Sequence, residues 1–166
     1  MNDNKVKISI DLMGGENSPN KTLEGVDLFI KRNISNDDYF FYLFGDKTLV
    51  DKKLKKLKHL KNNYELVDTK IIVSDDLPPL SAIKKGKNSS MWKSIESQIT
   101  LPSDVSLSAG NTGVLLVMSK MILKTLEDVD KPALAGLWPN KNNMSVVLDL
   151  GANVECGEKN LIDFSE

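Results

Sequence analysis

One cysteine and one histidine in 166 residues remove whole classes of chemistry. The lone Cys156 forbids an internal disulfide and fits a reducing compartment. The lone His59 lies among lysines with no second His or Cys at metal-ligand spacing and no Gly-x-Ser-x-Gly elbow to serve. A zinc site and a Ser-His-Asp hydrolase therefore lose their footing, and an exposed helix surface is the expected place for His59. Asp11 and Asp149 are isolated carboxylates, so no metal is expected. No uninterrupted apolar run approaches the roughly 20 residues that cross a bilayer, and polar Met1 to Lys7 has no apolar signal core. A cytoplasmic protein is expected. Neither sign of charge dominates: 22 Lys plus Arg face 23 Asp plus Glu, a net charge of −1 that argues neither for nor against nucleic acid, and no nucleic-acid partner is expected. A Gly-x-Gly-x-x-Gly fingerprint and a Gly-x-x-x-x-Gly-Lys-Ser/Thr loop are also missing, which leaves a nicotinamide or ATP site little support; no cofactor is expected.

What is present is a set of small, glycine-rich turns, each following an apolar run. Ile8 to Leu12 precedes Met13-Gly14-Gly15, the run ending near Leu107 precedes Ser108-Ala109-Gly110-Asn111-Thr112-Gly113, and Val146 to Leu150 precedes Gly151-Ala152-Asn153. Read as parallel strands, these runs place all three turns at carboxyl ends, on one rim, where open α/β sheets bind ligands. Val114 to Leu123 then reads as a helix apolar widely enough to lie between layers, and its first N–H groups point at whatever sits above the turn. An anion is the expected guest. Asp11 and Asp149 either accept hydrogen bonds from neighbouring turn amides or act in the chemistry.

The rest of the chain reads as one α/β domain over 1–166. Ser18-Pro19 resembles an N-cap with proline at the first helical position, ahead of an apolar face of Leu23, Val26, Phe29 and Ile30. Tyr39 to Phe44 is a strand, and Asp46 caps a helix carrying Leu49, Leu54, Leu57 and Leu60. That helix holds Lys52, Lys53, Lys55, Lys56, Lys58 and Lys61, either a solvated face or a dock for an acidic partner. Tyr64 to Val73 is a third strand broken near Asp68-Thr69-Lys70, and Leu77-Pro78-Pro79-Leu80 is a stiff loop. Lys84, Lys85 and Lys87 precede an N-cap at Ser89 or Ser90, a combination of ammonium groups, hydroxyls and helix N-terminus that holds phosphate, or else a solvated loop before an ordinary capped helix with Met91, Ile95 and Ile99. Ala133 to Trp138 and Met144 to Leu150 read as strands, and Leu161 to Phe164 as the start of a helix.

Anion binding by amides, hydroxyls and lysines suits a reaction whose nucleophile is itself an anion, such as inorganic phosphate, with the protein supplying position and donors for an oxyanion. Five blocks in order carry a resemblance: Asp11-Leu12-Met13-Gly14-Gly15, Ala82-Ile83 through Ser89-Ser90-Met91, Ser108 to Gly113, Lys131-Pro132-Ala133, and Val147-Leu148-Asp149-Leu150-Gly151-Ala152-Asn153. From Ile8 onward the chain resembles the phosphate acyltransferases of bacterial phospholipid synthesis, the PlsX family. The resemblance implies attack of inorganic phosphate on the thioester of a long-chain acyl carrier protein, giving acyl phosphate and free carrier without metal or cofactor. It implies a three-layer α/β/α, Rossmann-like fold with a mostly parallel sheet, related to isopropylmalate dehydrogenase and phosphotransacetylase. It also implies a homodimer and peripheral membrane association. Gly14, Gly15, Ser108, Gly110, Asn111, Thr112, Gly113, Gly151 and Asn153 would line the cleft, with Lys84, Lys87, Ser89 and Ser90 facing phosphate or carrier. Asp11, Asn111 and Asn153 are the catalytic candidates. The acidic carrier is a natural guest for the lysine-rich helix.

Departures from the family pattern are Glu16 and Glu155 in place of Asp, and Lys84 in place of an Arg whose planar fork grips phosphate bidentately. The chain also corresponds to roughly the N-terminal half of such an enzyme. The rival expectations are a non-catalytic remnant that binds an anion or a partner, and a dehydrogenase-like enzyme supported by strand-turn-helix order alone. Cys156 could take the acyl group first, but with no base beside it a buried structural thiol is expected.

Overall fold

The computed structural model describes residues 5–32, 38–61, 63–74, 78–151, 153 and 155–165; Leu77 and Ala152, named above, lie outside them. The first apolar run forms strand β1 (Val6–Asp11) and the aromatic run forms β2 (Tyr39–Gly45), paired in parallel from Val6 opposite Tyr39 to Asp11 opposite Phe44. β3 (Tyr64–Asp68) adds beyond β2, and β4 (Val105–Leu107) adds on the other side of β1, giving a parallel sheet in the order β3-β2-β1-β4. The chain winds outward from β1 to β3 and then crosses back over β1 to β4. Right-handed crossovers accordingly place α1 (Asn20–Arg32) and α2 (Lys47–Leu54) on one face, and α3 (Pro79–Gly86) and α4 (Ser90–Thr100) on the other, where α5 (Thr112–Leu123) joins them. This is the expected α/β/α layering.

Each face has its own core. Leu23, Val26 and Ile30 of α1 and Val50 and Leu54 of α2 bury against Ile10, Leu12, Phe41 and Leu43 of the sheet side. Ala82, Met91, Ile95, Val114 and Met118 fill the space among α3, α4 and α5. Between α4 and the sheet lies a seam of serines instead of apolar side chains: Ser9 Oγ is 2.5 Å from Ser97 Oγ and 2.7 Å from Ser103 Oγ, and Ser106 Oγ donates to Ser94 Oγ at 3.1 Å. Short side chains whose hydroxyls satisfy one another let the helix approach the strands without stranding a polar group.

The structure departs from sequence expectation where hydrogen bonds outrank periodicity. α2 ends at Leu54, so Leu57 and Leu60 lie beyond it, and so do Lys55, Lys56, Lys58 and Lys61. The following turn is held by Asp27 of α1, which accepts from the backbone N–H groups of His59 and Leu60 at 2.7 and 2.9 Å and pairs with His59 Nδ1 at 3.0 Å. His59 is thus half-buried in a clamp, not on an exposed helix face. Burial pushes the Asp27 carboxyl up, but the hydrogen bonds from His59 and Leu60 and the His59 charge outweigh it and hold it below its ordinary value. A depressed carboxylate stabilises the fold above its unfolded pKa, and that contribution is lost as pH falls through the folded pKa. Asp27→Ala is expected to lower stability at neutral pH by about 2–3 kcal/mol, the loss of several charge-assisted bonds. In urea titrations the gap between variant and parent should narrow as pH drops below the ordinary carboxylate range; a constant gap would exclude the ionic contribution.

Other corrections are local. Ser18 does not cap α1: its hydroxyl donates to the Gly14 carbonyl, and α1 starts at Asn20 after a cis Ser18-Pro19 bond. The Pro78-Pro79 stretch starts α3, with proline at its first position, instead of remaining a loop. β3 stops at Asp68, and Ile71 makes only an isolated bridge to Ser89. Ile99 and Met121 are exposed, so α4 and α5 each bury one face. The last two strands, β5 (Gly136–Pro139) and β6 (Met144–Val147), are antiparallel partners in a separate sheet, followed by α6 (Glu158–Asp163). The third glycine turn therefore does not follow a strand of the parallel sheet.

Candidate functional site

β1 and β4 are the neighbours between which the winding reverses, and the crevice at their carboxyl ends is the ligand position of doubly wound sheets. The loops after these strands are joined by one carboxylate. Buried Asp11 accepts through Oδ1 from the backbone N–H groups of Met13 at 3.0 Å and Gly14 at 3.2 Å, and through Oδ2 from the Ser108 hydroxyl at 2.7 Å. Ser108 Oγ in turn accepts from Gly110 N at 3.1 Å. Asp11 thus does what an isolated carboxylate beside turn amides can do, and it also reaches across to the second loop.

The glycines are required by how closely these loops meet. A Cβ on Gly14 would lie 2.5 Å from Asp11 Oδ2 and 2.8 Å from Gly110 N. Gly15 has φ +87° and would press a Cβ to 2.6 Å from the Ala109 carbonyl oxygen, and a Cβ on Gly110 would meet Met91 Cε at 2.6 Å. Met91, at the start of α4 and in the core as its helical spacing predicts, thus backs the Gly110 turn.

Two helices begin at this rim. Asn111 caps α5, its side-chain oxygen accepting from Val114 N at 3.0 Å, and Thr112 and Gly113 are the first residues of the helix, whose N–H groups have no acceptor within it. Ser89 caps α4, accepting from Trp92 N at 3.2 Å, and Ser90 donates its backbone N–H to the Ile71 carbonyl. Both serines are buried and build the α4 start. Lys84 is exposed in the last turn of α3 and Lys87 just beyond it. Lys87 is near enough to Glu96 to help lower its pKa, although the hydrogen bond from Lys93 at 2.6 Å is the main cause.

The third turn is closed on itself. Asp149 Oδ1 accepts from Asn153 N at 3.2 Å and Asn153 Nδ2 at 2.8 Å, and the same amide donates to the Pro132 carbonyl at 3.1 Å. Asn153 is the main reason the Asp149 carboxyl sits below its ordinary value. Gly151, at φ +75°, serves this local turn. The turns after β1 and β4 are joined through Asp11 and Ser108, and the third follows the antiparallel β5–β6 pair. Cys156 is exposed, not buried as expected, and partial desolvation of its sulfur, with the Asp149 carboxylate 3.5 Å away, raises the thiol pKa, the opposite of what a nucleophile needs. Among the described residues no group of three His, Cys, Asp or Glu side chains could hold a metal, and no helix is long and apolar enough to cross a membrane.

The site thus comprises two joined strand-end loops and two helix starts, and the model of the family described as "Fatty acid synthesis protein" matches residues 6–166. The chain belongs to that family. Relatives within the fatty acid synthesis protein family include the phosphate acyltransferase of Pelagibacter ubique, 51% identical over 160 residues, and that of Rhodospirillum rubrum, 40% identical over 162. The matches cover 96% and 98% of this chain and 46% of each relative, so it spans about half the length of the curated relatives it matches. The EutD phosphotransacetylase of Staphylococcus aureus shares the fold, with a TM-score of 0.59 at 18% identity over 96% of this chain and 50% of that one.

Proposed function

We propose that this chain supplies the phosphate-binding half of a phosphate acyltransferase acting on long-chain acyl-[acyl carrier protein], in fatty acid and phospholipid synthesis. The observation that carries the reading is the junction of the β1 and β4 loops through Asp11 and Ser108, beside the start of α5. Phosphate held there by the Thr112 and Gly113 amides gains from the helix dipole and keeps an oxygen free to attack. That oxygen forms a bond to the thioester carbonyl carbon, the C–S bond breaks, and the carrier thiolate leaves and takes a proton from solvent. Loop amides stabilise the oxyanion between these events. Asp11 holds the amides in place and is a positioning residue. Exposed Lys84 and Lys87 suit the acidic carrier; the names of the relatives support the acyl and phosphate substrates. A cytoplasmic homodimer working beside the membrane that receives the product is part of the same reading.

The alternative reading is a non-catalytic module that retains anion or partner binding. The test is to incubate the purified chain with acyl carrier thioester, with and without phosphate, and follow free carrier thiol and acyl phosphate, alongside calorimetric phosphate titration. Phosphate-dependent release is the expected result. Phosphate binding without release selects the module, and no phosphate binding overturns both.

A further inference from the structure

A cavity opens beside the loops, and the phosphate chemistry uses none of its apolar length. Thr22, Gly25, Val26 and Phe29 follow one another at helical spacing on α1 and form one wall over about 10 Å of helix. Ile8, Ile10 and Leu107 of the sheet form the other wall. The hollow has a volume of about 340 Å³. One end is lined by Asp11, Ser108 and Ala109, the residues that join the anion loops, and toward the other end stands Phe29, in edge contact with the rings of Tyr39 at 5.0 Å and Phe41 at 6.4 Å. An apolar trough that starts at an anion site and ends at an aromatic stop has the shape of an amphiphile.

Gly25 keeps the middle of the trough open. It sits inside a 13-residue helix, where glycine is less favourable than alanine, and a Cβ placed on it meets no atom within 4 Å. Among the described residues neither a turn nor a close approach requires it. From this geometry we infer that the trough between α1 and the β1–β4 edge seats the alkyl part of the acyl substrate, with its carbonyl end at Asp11 and Ser108, and that Gly25 and Phe29 set the chain length admitted. The inference rests on the acyl-transfer reading above and adds the location and length limit of the acyl group.

Alkylphosphonates test it, because each carries the anion and the chain in one stable molecule. Methyl-, octyl- and dodecylphosphonate are titrated calorimetrically, below their micelle thresholds, into the 166-residue chain, its Gly25→Leu variant and its Gly25→Ala variant. In the parent chain, dodecylphosphonate should bind at least about tenfold tighter than methylphosphonate, a gain that burial of two methylenes already supplies. Gly25→Leu should remove about tenfold of that gain and leave methylphosphonate within about twofold. Non-specific adsorption predicts the reverse, since leucine adds apolar surface. Gly25→Ala, favourable to the helix, should raise the unfolding midpoint and retain most of the chain-length gain, which separates blocking from misfolding. Equal binding of the three phosphonates by the parent chain, or an undiminished gain in Gly25→Leu, overturns the inference, makes the trough a packing surface and leaves phosphate transfer standing. Failure of every phosphonate and of inorganic phosphate to bind overturns the inference together with the acyl-transfer reading.

Discussion

Asp11→Ala is expected to lower stability by about 4 kcal/mol and to abolish measurable phosphate binding. The carboxylate is 1% exposed and holds two backbone amides and one hydroxyl. Removing it strands three donors in a buried place, each carrying a desolvation penalty of about 1–3 kcal/mol that rotation of the Ser108 hydroxyl relieves only in part. Urea unfolding at neutral pH measures the first effect and calorimetric phosphate titration the second. Ser108→Ala removes one of the three contacts and should fall well short of Asp11→Ala in both assays. Equal effects of the two variants would mean that the carboxylate is not the hub of the junction.

Gly14→Ala, the second large effect, should cost about 3 kcal/mol and weaken phosphate binding at least tenfold, without altering any charge. The added methyl group would lie 2.8 Å from a backbone nitrogen of the opposing loop, so the loops must part or the strands shift. Gly151→Ala is the informative contrast. At φ +75° it is strained too, yet a Cβ there meets nothing within 4 Å. A modest loss of stability with phosphate affinity intact is expected at Gly151, and comparable losses of affinity at both positions would restore the third turn to the site.

The parallel sheet was legible because β1 is apolar at alternate positions and β2 is a continuous aromatic-rich run, each stopped at glycine, and because Asp46 and Ser89 announce the helices they cap. What sequence reading lost was pairing. Met144–Val147 looks like a strand in either orientation, and only its partner Gly136–Pro139 makes it antiparallel and puts the strand before Gly151 in a sheet of its own. His59 shows the same limit: its periodicity continues α2, while the three hydrogen bonds that fix its turn run to the Asp27 carboxylate, 32 residues earlier. At the site, Asp11 beside two glycines was visible as a unit, but its reach to Ser108 spans 97 residues and is a product of β1 lying next to β4. Gly25 carried a local signal, a glycine inside a strong helical pattern, whose meaning appeared only when the space beside it proved empty.

Among the described residues β4 pairs with β1 alone, so its outer side is a free margin of the sheet, with Val105 and Leu107 exposed. Such a margin is a template for another strand. Because a parallel newcomer ends on the same side as its neighbour, whatever segment docks there delivers its own trailing loop alongside Ser108 to Gly113. A strand added at that margin would extend the sheet past β4 and set the residues that follow it beside the junction of Asp11 and Ser108.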